Sequence, residues 1–459
     1  MNTQRALRSA IHFVSLMAGI LLIFFFVQTF GNNVPLNDDW DHVETSLLWI
    51  ENGVSAGSLF ALHNEHCLAI PRIWNHLILL GTHGDFKAVL LLNAGLAVLL
   101  LGLLIWFIST LKLPWLISVL ASITVALAVS AWCQWQNLLW AFQAPFFMLP
   151  LFAFSGALLV SRLPSDIAAL IAGITISWLS VFTNGNGFFV AFALLPVVIL
   201  RGRAVMTIPA RFWTAAYFLN LLLVTAFALS LIARSAGKSY GGAADLAKHP
   251  GEIVFAGLSV LGSAFVPSQV FHGENSLAFV FGLLSVFFAL AFAMIFCIAP
   301  KKSDLPSLGP PLALAIYGLL SVAAVAYGRS QLLLTTPIES RYQSFAIWWS
   351  VGVLLVGCSP LPKLTGRSLA VANASISMIA LALSLGTLYA MPLFYKHGEN
   401  MRTATESVQQ VLKKANDPSS VDRLKEISTH YGVERIRKDL RRLESSGLLH
   451  QDLSPTGSQ

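Results

Sequence analysis

The chain has 459 residues, of which 56% are hydrophobic and 11% charged, and its mean hydropathy is +0.71. That balance excludes a soluble globular domain, because apolar runs of roughly 17–25 residues, enough to cross about 30 Å of hydrocarbon, recur along most of the chain. The net charge of +7 does not imply nucleic acid as a partner, since the basic residues lie in short connections between apolar runs and in the C-terminal tail, as membrane topology requires. The expected fold is an all-α polytopic membrane protein.

The first apolar run, His12 to Phe30, follows Arg5 and Arg8. It is too long for a secretory leader and no small-x-small cleavage site follows it, so it reads as a retained span. Further spans are predicted over 88–110, 113–131, 143–161, 166–182, 187–200, 212–233, 277–299, 311–328, 342–358 and 368–390, which with 11–30 makes eleven. A cytoplasmic N-terminus then places Arg5, Arg8, Lys112, Arg162, Arg201, Arg203, Arg211, Lys301, Lys302, Lys363 and Arg367 in inner connections, against only Asp166 and Asp304. This satisfies the positive-inside rule. Thr183-Asn184-Gly185-Asn186-Gly187 is turn chemistry that tolerates positive φ, so 166–182 and 187–200 read as a hairpin and not as one long span.

Three segments do not span. Residues 31–87 form a long first outer loop with a surface helix that begins at Pro71 and Arg72 and runs through Ile73, Trp74, Leu77 and Leu80. Residues 234–276 form a second outer loop. After the membrane domain, 1–390, comes a polar tail, 391–459, in which Asp417-Pro418-Ser419 reads as a helix start. There Val421, Leu424, Ile427 and then Ile436, Leu440, Leu443 recur at helical spacing. An odd number of spans leaves the tail outside. Cys67, Cys133, Cys297 and Cys358 are scattered and form no CxxC or Cys/His metal pattern.

Transporters carry ionisable residues inside their spans, and these span interiors are almost free of them. The acids sit at the outer mouths instead: Asp38, Asp39, Asp41, Glu44, Glu51, Glu65, Asp85, Glu274 and Glu339. Five of the eleven histidines join them in the first loop, as His42, His63, His66, His76 and His83. One-sided polar chemistry at a bilayer surface indicates an enzyme acting on a lipid-linked substrate. "WCQWQN" (Trp132–Asn137) and "ESRYQ" (Glu339–Gln343) add rings and amides of the kind that bind sugars, although Trp132, Trp135, Trp140, Trp348 and Trp349 equally suit an interfacial aromatic belt. "HNEH" (63–66) is not the HExxH of zinc proteases. Asp41 and Glu44 read as a solvated helix face. Asp38-Asp39 reads as functional, because adjacent carboxylates at a bilayer repel each other and lose hydration.

With Asp38-Asp39-Trp40 soon after the first span, the Glu65-containing "HNEHCLAIPR" later in the same loop and Arg341-Tyr342 at a span mouth, the chain resembles the GT-C superfamily of integral-membrane glycosyltransferases. Among its members the bacterial enzymes that decorate O-antigen or other envelope glycans are the most similar. The resemblance implies a polyprenyl-phosphate sugar donor, a glycan or lipid acceptor, an active site on the periplasmic side of the inner membrane, and an early first-loop acid as the catalytic group. Asp38 or Asp39 would take the acceptor proton, and the resemblance favours Asp38. Arg341, Arg72 and Arg329 are the candidates for the donor phosphate, which gains charge as it leaves. Glu65, His63 and His66 would orient the acceptor, tune the base or hold a divalent cation, Mg or Mn, the one cofactor the resemblance allows. Trp40, Trp135, Gln136, Asn137, Asn184 and Tyr342 are the sugar-binding candidates. A flippase or exporter of a lipid-linked sugar, and a glycan polymerase or ligase, are the alternative functions.

Overall fold

The computed structural model describes residues 2–205, 210–234, 249–267, 275–297, 304–335, 338–361, 364–414 and 433–449. It is an all-α polytopic membrane protein. The first half contains α1 (Asn2–Phe30), α2 (Asp39–Asn52), α3 (Ala56–Leu59), the strands β1 (Leu62–His63) and β2 (His66–Cys67), α4 (Ala69–Gly81), α5 (Phe86–Thr110), α6 (Trp115–Val129), α7 (Trp135–Leu139), α8 (Pro145–Arg162) and α9 (Asp166–Val181). Then come α10 (Phe188–Val205), α11 (Ala210–Arg234), α12 (Pro250–Gly262), α13 (Asn275–Cys297), α14 (Leu305–Thr335), α15 (Ser340–Cys358), α16 (Gly366–Lys413) and α17 (Val433–Ser445).

Among the described residues, nine helices are long and apolar enough to cross a bilayer. Their outward faces are what water would not tolerate and lipid does: Phe13, Met17, Leu21 and Phe25 form an exposed row at four-residue spacing on α1, and Leu283, Phe287 and Leu290 form another on α13 at helical spacings of four and three. Every one of the eleven predicted spans falls on a helix, but two of those helices are outside the nine. Asp166–Val181 is shorter than the others. Ser340–Cys358 is buried at every position except Arg341, so it has no lipid face to make apolar, and Ser340, Gln343, Ser344 and Ser350 lie inside it.

The second loop departs from expectation. Within 234–276 lies the apolar helix α12, whose 13 residues span about 20 Å and stop short of a crossing. Its Gly262 meets α13 backbone to backbone: a Cβ there would lie 1.7 Å from Ala278 O, and one at Gly282 would lie 1.9 Å from Leu258 O. Small residues at such crossings let helices gain dispersion contact where no hydrophobic force separates protein from lipid.

The expected boundary at 390 is not a break, because α16 continues unbroken for 48 residues, roughly 70 Å and more than twice the hydrocarbon thickness. Its projecting half packs on the first-loop end of α1. Gly398 lies against the Phe30 ring, where a Cβ would come within 2.5 Å of Cδ2, and Asn32 Nδ2 donates to Arg402 O at 3.1 Å. The spacing of Ile436, Leu440 and Leu443 does form a helix with those three buried. The predicted start at Asp417-Pro418-Ser419, with Val421, Leu424 and Ile427, lies outside the described residues. Helix α17 rests on α2, so the tail and the first loop share one face of the bundle, as an odd number of crossings requires.

Cysteines placed at Val54 in the first loop and at Glu434 in the tail are therefore expected to react with an impermeant maleimide from the same side of the membrane. Modification of one before and the other only after permeabilisation contradicts the arrangement.

Candidate functional site

The chain leaves α1 through a turn in which Asn37 takes φ +43°, a left-handed conformation that asparagine tolerates. Asp39 closes this turn: its Oδ2 accepts the Leu36 N–H at 2.8 Å, and its own N–H donates to Leu36 O at 2.9 Å. The Asp39 side chain is only 1% exposed. Burial first, and then the neighbouring Asp38 charge, hold its carboxyl well above the ordinary carboxylate value. The adjacent pair therefore divides into two roles. Asp39 shapes the turn, whereas Asp38, at the head of α2 and 28% exposed, carries its Oδ1 to 3.9 Å from His63 Nε2.

His63 comes from the β1–β2 hairpin, where it pairs across from His66 and Asn64 takes φ +51°. Its Nδ1 lies 2.5 Å from Asp41 Oδ2, which fixes the ring and directs Nε2 toward Asp38. Burial alone would raise Asp41, but the hydrogen bond with His63 and the positive charges of His63 and Arg435 outweigh it and bring its carboxyl below the ordinary value. Asp41 is thus not the solvated helix face the sequence suggested.

His66 Nε2 lies 3.4 Å from Glu65 Oε1. Burial holds its ring below the ordinary histidine value; Glu65 and Asp38 oppose that shift, while His63 and Arg329 reinforce it. The Asn-Gly turn between α9 and α10 seats this ring, since a Cβ at Gly185 would fall 2.3 Å from His66 Nδ1. Asn184 uses its Oδ1 to accept the Asn186 N–H at 3.1 Å, so that oxygen holds the turn. Phe142 forms the floor, with the His42 and His63 rings each 5.0 Å away.

The three candidate arginines separate. Arg329 sits at a kink in α14, with φ −137° and ψ 17°, near enough to act on His66. Arg341 pairs with Glu339, Nε to Oε2 at 2.6 Å, and lies 5.8 Å from the Trp140 ring and 5.1 Å from Tyr342. Trp140 in turn stacks on Phe142 at 5.9 Å, which leaves Arg341 two rings from His63. Arg72 is only 6% exposed, and its Nη1 donates to the Leu59 and Ala61 carbonyls.

Most sugar-binding candidates have structural partners. Gln136 accepts the Arg341 N–H at 3.0 Å and donates its own N–H to Ser340 Oγ at 3.1 Å, capping α15 from another helix. Asn137 is buried beside it and donates to Arg341 O at 3.5 Å. Trp40 and Tyr342 are buried, so Trp40 offers no open stacking face. Trp135 stacks parallel to His397, with centroids 6.2 Å apart. The Mg or Mn ion that the resemblance allows finds no set of three His, Cys, Asp or Glu ligands among the described residues, and no step is assigned to one.

Sequence reasoning missed Phe142 and Arg435, read Asp41 as solvated, and read Gly185 only as part of a turn. Asp38, Asp41 and Glu44 recur every three residues, a helical stripe that was readable; nothing local marks Phe142 or Arg435. Comparison with protein-family models, with curated proteins and with solved structures finds no match for the chain.

His42 yields a test of this packing. Among the described residues neither ring nitrogen has a hydrogen-bond partner, and burial, then the Arg72 and His63 charges, push its pKa from 6.5 down to about 3. The folded pKa is the lower one, so the unfolded chain binds the proton more readily, and stability falls as pH drops from 6.5 toward about 3. His42→Phe keeps a ring on Phe142 and removes that loss. Between pH 7 and pH 5, its unfolding midpoint in detergent is expected to fall less than the wild type's; equal falls contradict the assignment.

Proposed function

We propose that the protein is a glycosyltransferase that moves a sugar from a polyprenyl-phosphate donor to an envelope glycan or lipid acceptor at the outer face of a bacterial inner membrane. The observation that carries this reading is the convergence of Asp38, the Asp41–His63 pair, His66 and Arg329 on one face, where α1 ends. A sugar on a lipid phosphate emerges from the bilayer at that depth. The same face carries the tail, and the Lys/Arg bias of the opposite connections supports reading it as the outer one.

In this chemistry the acceptor oxygen forms a bond to the anomeric carbon as the bond from that carbon to the donor phosphate oxygen breaks. The electron pair leaves with the polyprenyl phosphate, and the acceptor proton passes to the base. Asp38 is that base. The 3.9 Å between its Oδ1 and His63 Nε2 is too long for a direct hydrogen bond and suits a bridging hydroxyl, so His63 orients the acceptor while Asp38 takes its proton. Arg329, with Arg341 beyond Trp140, supplies fixed positive charge for the departing phosphate, and a planar guanidinium matches its oxygens.

Two sets of variants test the assignment, with release of sugar from purified polyprenyl-phosphate glucose, galactose and mannose as the readout. Asp38→Asn keeps shape and removes basicity, and is expected to lose at least roughly 10²-fold in rate, the scale of general-base catalysis. Asp39→Asn keeps an acceptor for Leu36 N–H and is expected to retain most activity; the reverse ranking contradicts the division of the pair.

Arg329→Ala is expected to raise the barrier by about 2–4 kcal/mol, as loss of a charge-stabilising donor does. Arg72→Ala is expected to act on folded yield, because it strips two carbonyls of their buried partner. Unchanged turnover in Arg329→Ala removes it from the phosphate site.

A further inference from the structure

We propose that the C-terminal helix is a working part of the site: Arg435 reaches back from α17 to hold Asp41, which holds His63, so docking of the tail sets the geometry in which acceptor binds. The inference rests on the glycosyltransferase reading, in which His63 orients the acceptor. Asp41 divides its two oxygens between the two partners. Oδ2 faces His63 Nδ1 at 2.5 Å, and Oδ1 accepts from Arg435 Nη2 at 3.0 Å, across 394 positions of sequence. The same Nη2 also bridges to Glu44. Without Arg435, Asp41 and Glu44 would face each other one helical turn apart as like charges, and Asp41 would be free to turn from His63.

The docking has anchors of its own, away from the site. Arg442 grips Glu51 with both forks, Nε to Oε1 and Nη2 to Oε2, each at 2.8 Å. Ten residues separate Glu51 from Asp41 on α2, about 15 Å along the helix, so this clamp touches neither His63 nor Asp38. Arg442 also donates to Asp439 at 3.1 Å. Ile436, Leu440, Leu443 and Leu448 are buried, and the Leu448 carbonyl presses on Gly84, at φ +80°, where a Cβ would come within 1.8 Å of it. Such an interface combines a small apolar core with a bidentate Arg442–Glu51 pair at its rim. An arrangement of this kind can detach as a unit without unfolding the bundle beneath it.

Arg435 is a positioning residue, so its test needs a readout beyond lost activity. His63 is faced by Asp41 and Asp38 from the first loop, by His66 and Glu65 on its hairpin, and across Phe142 by His42; the Arg329 charge acts on the neighbouring His66 and the Arg72 charge on His42. Arg435→Gln is expected to lower kcat for sugar transfer from the polyprenyl-phosphate sugars about tenfold, as loss of a supporting partner does. It is also expected to shift the acid limb of the kcat/KM profile, and Arg435→Lys is expected to restore part of both.

Docking is measured separately, by maleimide modification of Leu440→Cys in the full-length protein. Protection in the otherwise wild-type chain, exposure with loss of turnover in Arg442→Glu, and recovery of both in Glu51→Arg with Arg442→Glu support the proposal. Ready labelling of Leu440→Cys in the otherwise wild-type chain shows the tail undocked and overturns it. Exposure in Arg442→Glu with turnover and pH profile unchanged overturns the coupling while leaving the transfer reaction intact. Absence of transfer by the wild type, with Leu440→Cys still protected, overturns the glycosyltransferase reading and the role of Arg435 together.

Discussion

A carboxylate beside a bilayer keeps its charge only if the protein supplies what water would, and the first-loop end of this bundle is organised around that requirement. Asp41 meets it with His63 on one oxygen and Arg435 on the other. Asp39 does not: backbone donors at Leu36 and Phe142 fall short of its burial, which pushes it toward its neutral form. Asp38, partly exposed between these two, faces His63 Nε2 at 3.9 Å. The hairpin, the Asn-Gly turn and the ends of α14 and α15 gather around these three acids.

The span interiors answer the same constraint in the opposite way. Their polar groups are mostly hydroxyls and amides that donate within the bundle. Asn93, for example, accepts from Trp74 Nε1 and donates to Ala141 O. Where full charges are buried at the other end of the bundle, they are paired: Arg201 binds Asp166 at 2.7 Å and the Val160 and Leu163 carbonyls. Among the described residues the buried ion pair Arg201–Asp166 lies at one end of the bundle and the Asp41–His63–Arg435 cluster at the other.

The all-helical membrane fold was legible because long apolar runs have few alternatives in lipid. Helix α12 was not, since a mainly apolar stretch of 13 residues between polar ones resembles a loop until Gly262 is seen against Ala278. The 48-residue helix α16 crosses from apolar to polar sequence without a break, and composition alone reads that change as a boundary. In the site, the positive-φ turns at Asn37 and Asn64 were not read, whereas the Asn-Gly turn at 184–187 and the acids at 38–44 were visible. Which arginine faces them was not, because Arg72, Arg329 and Arg341 look alike until backbone carbonyls, a helix kink and Glu339 distinguish them. The Arg435–Asp41 contact spans almost the whole chain, and no local pattern encodes such a pair.

The central claim is that the first-loop face consumes a lipid-phosphate sugar. The most direct measurement follows the donor itself: the purified protein in nanodiscs is incubated with a panel of labelled polyprenyl-phosphate sugars, and the lipid product is separated. The account predicts that at least one donor is converted to free polyprenyl phosphate in step with loss of its sugar. Recovery of every donor intact, with translocation of a labelled donor across liposomes containing the protein, would contradict it and make the chain a carrier.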